Sequence, residues 1–237
     1  MERLDKILSS ALKISRGDVK KLMKKQSITV NGVQVKSGNI KINPDTDEIR
    51  LNGRDVVYQK NIYLMMNKPE GVISASNDRS QETVVDLVPE EYRRDGLFPA
   101  GRLDADTTGF VLITDDGDFA HRILSPKNHV EKTYHARLAQ RLSDGDIERF
   151  LSGIELKDGT LCLEARLRVI EDGETPLVEV VIHEGKYHQV KRMFAALGNR
   201  VVQLRRIKIG GLSLDGTLAQ GECREITREE IRLITGE

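Results

Sequence analysis

The sequence predicts an α+β protein in two parts: a small N-terminal α/β module over residues 1–58, and a larger domain over residues 59–237 built on a mixed, mainly antiparallel sheet. Three observations predict this. Apolar residues near the N-terminus recur at three- and four-residue spacing and then give way to alternation. A polar stretch, 45–59, carries the turn signal Asn52-Gly53 and separates these elements from the next apolar run. Beyond it, strand-like runs follow one another without a helix long enough for a parallel crossover between them. The length, 237 residues, suits one sizeable core with an appendage.

In the first part, Leu4, Ile7, Leu8, Ala11 and Leu12 form one apolar stripe and predict a short helix. Ser15 suits the N-cap of a second helix, with Asp18 as an approximate capping-box partner and Val19, Leu22 and Met23 facing inward. The opposite face carries Arg16, Lys20, Lys21, Lys24 and Lys25, which on the residues alone suits a solvated surface or a polyanion-binding one. A strand at 27–30, the hairpin signal Asn31-Gly32 and the alternation of Val33 and Val35 complete the module. In the second part, strands are predicted at 62–66, 98–103, 110–114, 132–138, 161–170, 177–183 and 201–209. Helices are predicted at 119–124, at 144–151 behind Ser143, at 188–197 ending on Gly198, and from Thr227, where Glu230 completes a capping box.

Composition excludes several function classes. With 38% hydrophobic and 31% charged residues the chain suits a soluble globular protein, and no apolar run approaches the roughly 18 residues of a membrane span. The N-terminus, MERLDKILSS, lacks the apolar stretch of a signal peptide and predicts a cytoplasmic location. Cys162 and Cys223 alone make neither a disulfide framework nor a four-cysteine zinc site. His183 and His188 in HEGKYH are five apart, one more than a helical zinc pair requires, and fall on a strand end and a helix start. Asp115, Asp116 and Asp118 around Gly117 suit a turn and a helix N-terminus. The nucleophile elbow, the P-loop and the dinucleotide-binding glycine motif are missing from the sequence. Net charge is zero, yet residues 1–60 hold 13 Lys and Arg against 7 Asp and Glu, or +6, which leaves −6 for the remainder. That asymmetry makes nucleic acid the first candidate partner.

The stretch from Phe98 to Gly117 places Arg102, Asp104, Asp106, Thr107 and Thr108 in a polar segment between two apolar strands. A loop held that way suits a reactive carboxylate, and it equally suits a satisfied turn. Tyr134 reads as an amphipathic strand residue. Lys191 and Arg192 read as solvated neighbours of a buried Val190, Met193 and Phe194, and Leu204 as core.

The motifs then add a resemblance. RLDKIL, the Ser15-Arg16 step, and ITVNG followed by Val33 and Val35 resemble the small RNA-binding domain named after ribosomal small-subunit protein four. The resemblance implies that Arg16, Lys20, Lys21, Lys24 and Lys25 face RNA phosphates. Asn67-Lys68-Pro69 with Gly71 and Ser74, GRLDADTTG at 101–109, EKTYHARL at 131–138, and EGKYHQVKRMFAALG at 184–198 with Leu204, Arg205 and Ile209-Gly210 occur in the order of the bacterial pseudouridine synthases. They resemble the branch that acts on ribosomal RNA and carries the same N-terminal domain. SPKNHVEKTY and EGKYHQVKRMF resemble most the members that modify one uridine of small-subunit (16S) RNA, the uridine-516 type.

That resemblance implies the site. Asp104 is expected to be the catalytic aspartate, adding to the base or promoting loss of the glycosidic bond. Tyr134 is expected to lie against the base and help remove the proton from carbon 5. Lys191, with Arg192 as the alternative one residue on, is expected to pair with the aspartate, since a cation within about 4 to 6 Å stabilises an ionised carboxylate. On a helix the two point about 100° apart, so one of them reaches the pocket. Arg102 is expected to fill the vacancy left by an extruded uridine, and Leu204 to wall the base pocket. The isomerisation implies no cofactor and no metal. The expected partner is ribosomal RNA or an assembling particle and not a membrane, and the absence of a heptad predicts a monomer. The alternatives are the same chemistry on large-subunit (23S) RNA, or a non-catalytic RNA-binding or ribosome-assembly protein.

Overall fold

The computed structural model describes residues 1–44 and 46–236; Asp45, at the start of the polar stretch, and Glu237, at the end of the larger predicted domain, lie outside the described residues. The chain divides into two compact units, Met1–Asn61 and Ile62–Glu237.

In the first unit, β1 (Glu2–Arg3) leads into α1 (Leu4–Ala11) and α2 (Arg16–Lys25), followed by β2 (Ile28–Val30), β3 (Val33–Gln34), β4 (Lys41–Ile42), β5 (Ile49–Leu51) and β6 (Arg54–Asp55). Strands β3-β2-β5-β6 form one antiparallel sheet, and β1 pairs with β4. The stripe read from the sequence is the core: Leu4, Ile7, Leu8 and Val19 are fully buried with Ile28. The α2 start follows from Ser15, whose hydroxyl accepts from the Asp18 backbone N–H at 3.1 Å. Val30 pairs with Val33 across Asn31 and Gly32, both at positive φ (51° and 79°), the two-residue turn whose twist matches a hairpin. Arg16, Lys20, Lys21, Lys24 and Lys25 are all exposed on α2, Lys21 pairing with Asp18 at 2.9 Å.

The second unit contains β7 (Tyr63–Lys68), β8 (Phe98–Pro99), β9 (Thr107–Thr114), α3 (Gly117–Leu124), β10 (Lys132–Leu138), α4 (Asp146–Ser152), β11 (Arg166–Glu171), β12 (Leu177–Ile182), α5 (Gln189–Ala196), β13 (Val201–Ile209), β14 (Leu212–Ser213), β15 (Cys223–Glu225) and α6 (Arg228–Thr235). The sheet runs β11-β12-β10-β13-β9-β7-β15, with β14 beside β13 and β8 beside β9. Every pairing is antiparallel except β9 with β13, so the sheet is mixed and mainly antiparallel. Both faces are covered. Val111 and Ile113 join one apolar cluster, Phe110 and Leu112 the other, which is why this strand reads as a continuous apolar run.

Three local differences from the sequence reading bear on the site. The strand expected at 98–103 stops at Pro99, and the following residues form a loop running into β9. The strand expected from 161 begins at Arg166. Helix α4 starts at Asp146 behind Gly145, because the Asp146 carboxylate accepts from the Ser143 N–H at 2.9 Å and holds the chain in a turn. The acidic cluster is structural: Asp116 caps α3 by accepting from the Phe119 N–H at 3.0 Å, and Asp115 accepts from the Ile62 N–H at 2.9 Å. Helix α6 carries the predicted capping box.

Candidate active site

Asp104 sits on the loop between β8 and β9, and buried groups hold that loop by its backbone. Ser74, 8% exposed, bonds Leu103 twice, donating to its carbonyl at 2.9 Å and accepting from its N–H at 3.0 Å. Lys68 is fully buried at the end of β7 and donates to the carbonyls of Pro69, Ala105 and Thr107 at 2.8, 3.1 and 2.8 Å. Burial pushes its ammonium down to about 8, against the pull of Asp106 and Asp104. Gly109 lets β9 lie close along β13: a Cβ there would stand 2.2 Å from the Arg206 carbonyl oxygen, at φ +100°. The close approach brings Thr107 into register with Leu204.

The carboxylate of Asp104 meets a lysine ammonium and a histidine ring from the neighbouring segment. Lys191 Nζ donates to it at 3.1 Å and to Asp106 at 2.5 Å, and His188 Nε2 lies 3.3 Å from its other oxygen. Burial opposes charge on Lys191, but the hydrogen bonds to Asp106 and Asp104 prevail and raise its pKa. Asp106 is held below the usual carboxylate range by the Lys191 hydrogen bond. The segment before α5 is fixed by buried Glu184, which accepts from the Leu163 N–H at 3.0 Å and from Gln189 at 2.8 Å and pairs with Lys186. His188 ends this turn at φ 47°, uncommon for a residue with a Cβ, its ring stacked on Tyr187 at 3.8 Å. Arg192, one residue on from Lys191, turns away to pair with Asp158 and to bond the Tyr187 carbonyl, so the structure brings Lys191 and not Arg192 to Asp104.

Tyr134 occupies the middle of β10, between β12 and β13, and is 8% exposed. It borders a cleft of about 760 Å³ that Asp104, Arg102 and His188 also line. A recess of about 70 Å³ brings Asp104, Tyr134, Leu204 and Thr107 together, and the buried Thr107 hydroxyl has no hydrogen-bond partner among the described residues. Arg102 is exposed on both the cleft and the recess. The α2 cations belong to the other unit.

Sequence reasoning missed Lys68, Lys132, His188 and Arg206 as site residues. Arg206, 3% exposed, donates to the Phe110 carbonyl at 2.7 Å, the Tyr134 hydroxyl at 3.5 Å and the Gly101 carbonyl at 3.3 Å. Strand periodicity could have found two of them: Arg206 is two residues from Leu204 and Lys132 two from Tyr134, so each pair shares a sheet face unless a bulge intervenes. Among the described residues no group of three or more His, Cys, Asp or Glu is placed to hold a metal ion, and no helix is long and apolar enough to cross a membrane.

Residues 62–196 match the RNA pseudouridylate synthase family, and residues 2–49 match the S4 domain. The chain is 46% identical to an uncharacterised RNA pseudouridine synthase of Bacillus subtilis over 234 residues, covering 98% of both chains. It is also 46% identical to the ribosomal small subunit pseudouridine synthase A of Vibrio cholerae over 233 residues, 98% of this chain and 99% of that one. A crystal structure of a pseudouridylate synthase aligns with a TM-score of 0.67 at 39% identity, over 99% of this chain and all of that one. A carboxylate held by a lysine and a histidine in a cleft, on a chain matched over nearly its whole length, identifies this protein as a member of the RNA pseudouridylate synthase family that carries an N-terminal S4 domain.

Proposed function

We propose that this enzyme converts one uridine of small-subunit ribosomal RNA to pseudouridine, at a uridine-516-type site, with Asp104 as the catalytic carboxylate. The observation that carries the reading is the shared recess of Asp104, Tyr134 and Leu204, with Lys191 and His188 on the carboxylate. The reaction breaks the bond between ribose carbon 1′ and uracil nitrogen 1, turns the base, joins carbon 1′ to carbon 5, and moves the carbon-5 proton to solvent while nitrogen 1 takes one up. Asp104 adds to the base or promotes cleavage of the glycosidic bond, and the ammonium of Lys191, bonded to it at 3.1 Å, aims it. Tyr134 lies against the base and its hydroxyl assists removal of the carbon-5 proton. Arg206 donates to that hydroxyl and to the backbone beside the Asp104 loop, which ties the two groups in one geometry. Leu204 walls the base pocket, and Arg102 at the rim suits the stack vacated by the extruded nucleotide, whose removal costs a few kcal/mol.

In this reading residues 1–58 form the RNA-binding domain, gripping phosphates through Arg16, Lys20, Lys21, Lys24 and Lys25, and residues 59–237 form the catalytic domain. The enzyme works as a cytoplasmic monomer on ribosomal RNA and not on a membrane. The relative from Vibrio cholerae, named for the small subunit, supports that substrate over large-subunit RNA. The test is tritium release from RNA labelled at carbon 5 of uracil, with the modified position mapped in each ribosomal RNA. Asp104→Asn is expected to bind RNA and release none; release at the native rate overturns the assignment.

A further inference from the structure

Lys132 has no part in the chemistry above, although it lines the same cleft as Asp104 and Tyr134 and is only 6% exposed. Among the described residues its ammonium donates to one group, the Ile123 carbonyl in the last turn of α3 at 3.2 Å, which leaves two of its three N–H donors without a partner there. Arg206 lines the cleft beside it and spends three of its five N–H donors on Phe110, Tyr134 and Gly101. Neither cation is paired with a carboxylate among the described residues. The carboxylates on the cleft wall are already taken, Glu184 by Lys186, and Asp104 by Lys191 and His188.

Two buried positive charges without a counter-ion are costly, and the cost falls when an anion enters. Capping α3 explains one bond of Lys132 and leaves its place on the cleft unexplained. A nucleotide drawn out of an RNA stack brings its backbone phosphate with it. We propose that Lys132 and Arg206 form a phosphate subsite that takes a phosphodiester group of the substrate RNA adjoining the target uridine, an inference resting on the isomerase reading of the Asp104 recess.

The surroundings of Lys132 support a protonation signature. Arg206 of β13 is the charge that acts on it; Ile182 and Ile209, its partners on β12 and β13, are apolar; α3 offers a carbonyl; and Glu184 and Lys186 after β12 neutralise each other. Burial and then Arg206 push the ammonium down to about 8, so an arriving anion draws a proton onto it.

The test is calorimetric titration of the full chain with uridine 5′-monophosphate, uridine and inorganic phosphate. The monophosphate is expected to bind about tenfold or more tightly than uridine, and phosphate alone far more weakly than the monophosphate. Lys132→Met should remove most of that preference and Lys132→Arg restore it. A preference unchanged in a folded Lys132→Met overturns the subsite, and so does inorganic phosphate binding as tightly as the monophosphate. Should the Met variant not fold, the wild type at pH 8, titrated in buffers of different ionisation enthalpy, should take up protons with the monophosphate and not with uridine; equal uptake overturns the subsite. Tritium release by the wild type separates the two readings: release without a phosphate preference removes the subsite and keeps the isomerase, whereas a phosphate preference without release removes the isomerase reading and with it the assignment of the subsite to a target uridine.

Discussion

Lys191→Met removes the closest charge from Asp104 while keeping a helix-forming stem of similar length. Two unit charges at 3.1 Å attract by about 5 kcal/mol at an effective dielectric of 20 and by about 1 kcal/mol in water. Both side chains are about a quarter exposed, and His188 stays at 3.3 Å from the second oxygen, so the loss belongs between those limits, at about 2 to 3 kcal/mol. If that interaction orients the reacting carboxylate, kcat/KM for tritium release falls roughly 30- to 150-fold while RNA affinity, measured by filter binding, changes little. Arg192→Met is the matched control: its guanidinium pairs with Asp158, and the rate of the chemical step should stay within about twofold. A folded Lys191→Met with native kcat/KM, or an equal loss in Arg192→Met, would refute the assignment of the cation.

Lys132 also makes a pH-dependent prediction. Its folded-state pKa of about 8 lies below the usual 10.5, so the folded protein holds fewer protons than the unfolded chain between those values and stability rises with pH there. In urea unfolding, wild type should gain about 2 kcal/mol relative to Lys132→Met on going from pH 7.5 to 9.5; a constant difference would contradict the burial of the ammonium. Gly109→Ala sets a methyl 2.2 Å from the Arg206 carbonyl and should destabilise by about 3 kcal/mol or more, read as a shift in the urea midpoint; a midpoint within error of wild type would show that β9 and β13 can part. Replacing Arg16, Lys20, Lys24 and Lys25 together by Gln should weaken RNA binding and flatten its slope against log salt by about 3, and an unchanged slope would exclude that face of α2 from phosphate contact.

The parts of the fold most legible in the sequence are those governed by local rules. Ser15, the Asn31-Gly32 turn and the Thr227 box announce themselves because a cap or a tight turn is satisfied within a few residues. The alternation in 132–138 and 201–209 marks strands for the same reason. The strand expected at 98–103 was too long, since Leu103 reads as a strand residue while its backbone is bonded instead by Ser74, 29 residues away in sequence. Lys191 was separable from Arg192 only by the direction each takes from α5, and that depended on Asp158 standing ready on another segment.

By itself the sequence determined the two-part α+β plan, the basic face of α2, the motif carrying Asp104 and its likeness to a family that needs such a carboxylate, because patterning, capping and linear motifs are encoded over short stretches. Only the tertiary structure decided that Lys68 would be buried under the Asp104 loop, that His188 would touch the carboxylate, and that Arg206 and Lys132 would stand in the cleft with no carboxylate partner among the described residues. Charged side chains are outside by default, and their burial depends on carbonyls and carboxylates supplied by segments distant in the chain, which no local pattern records.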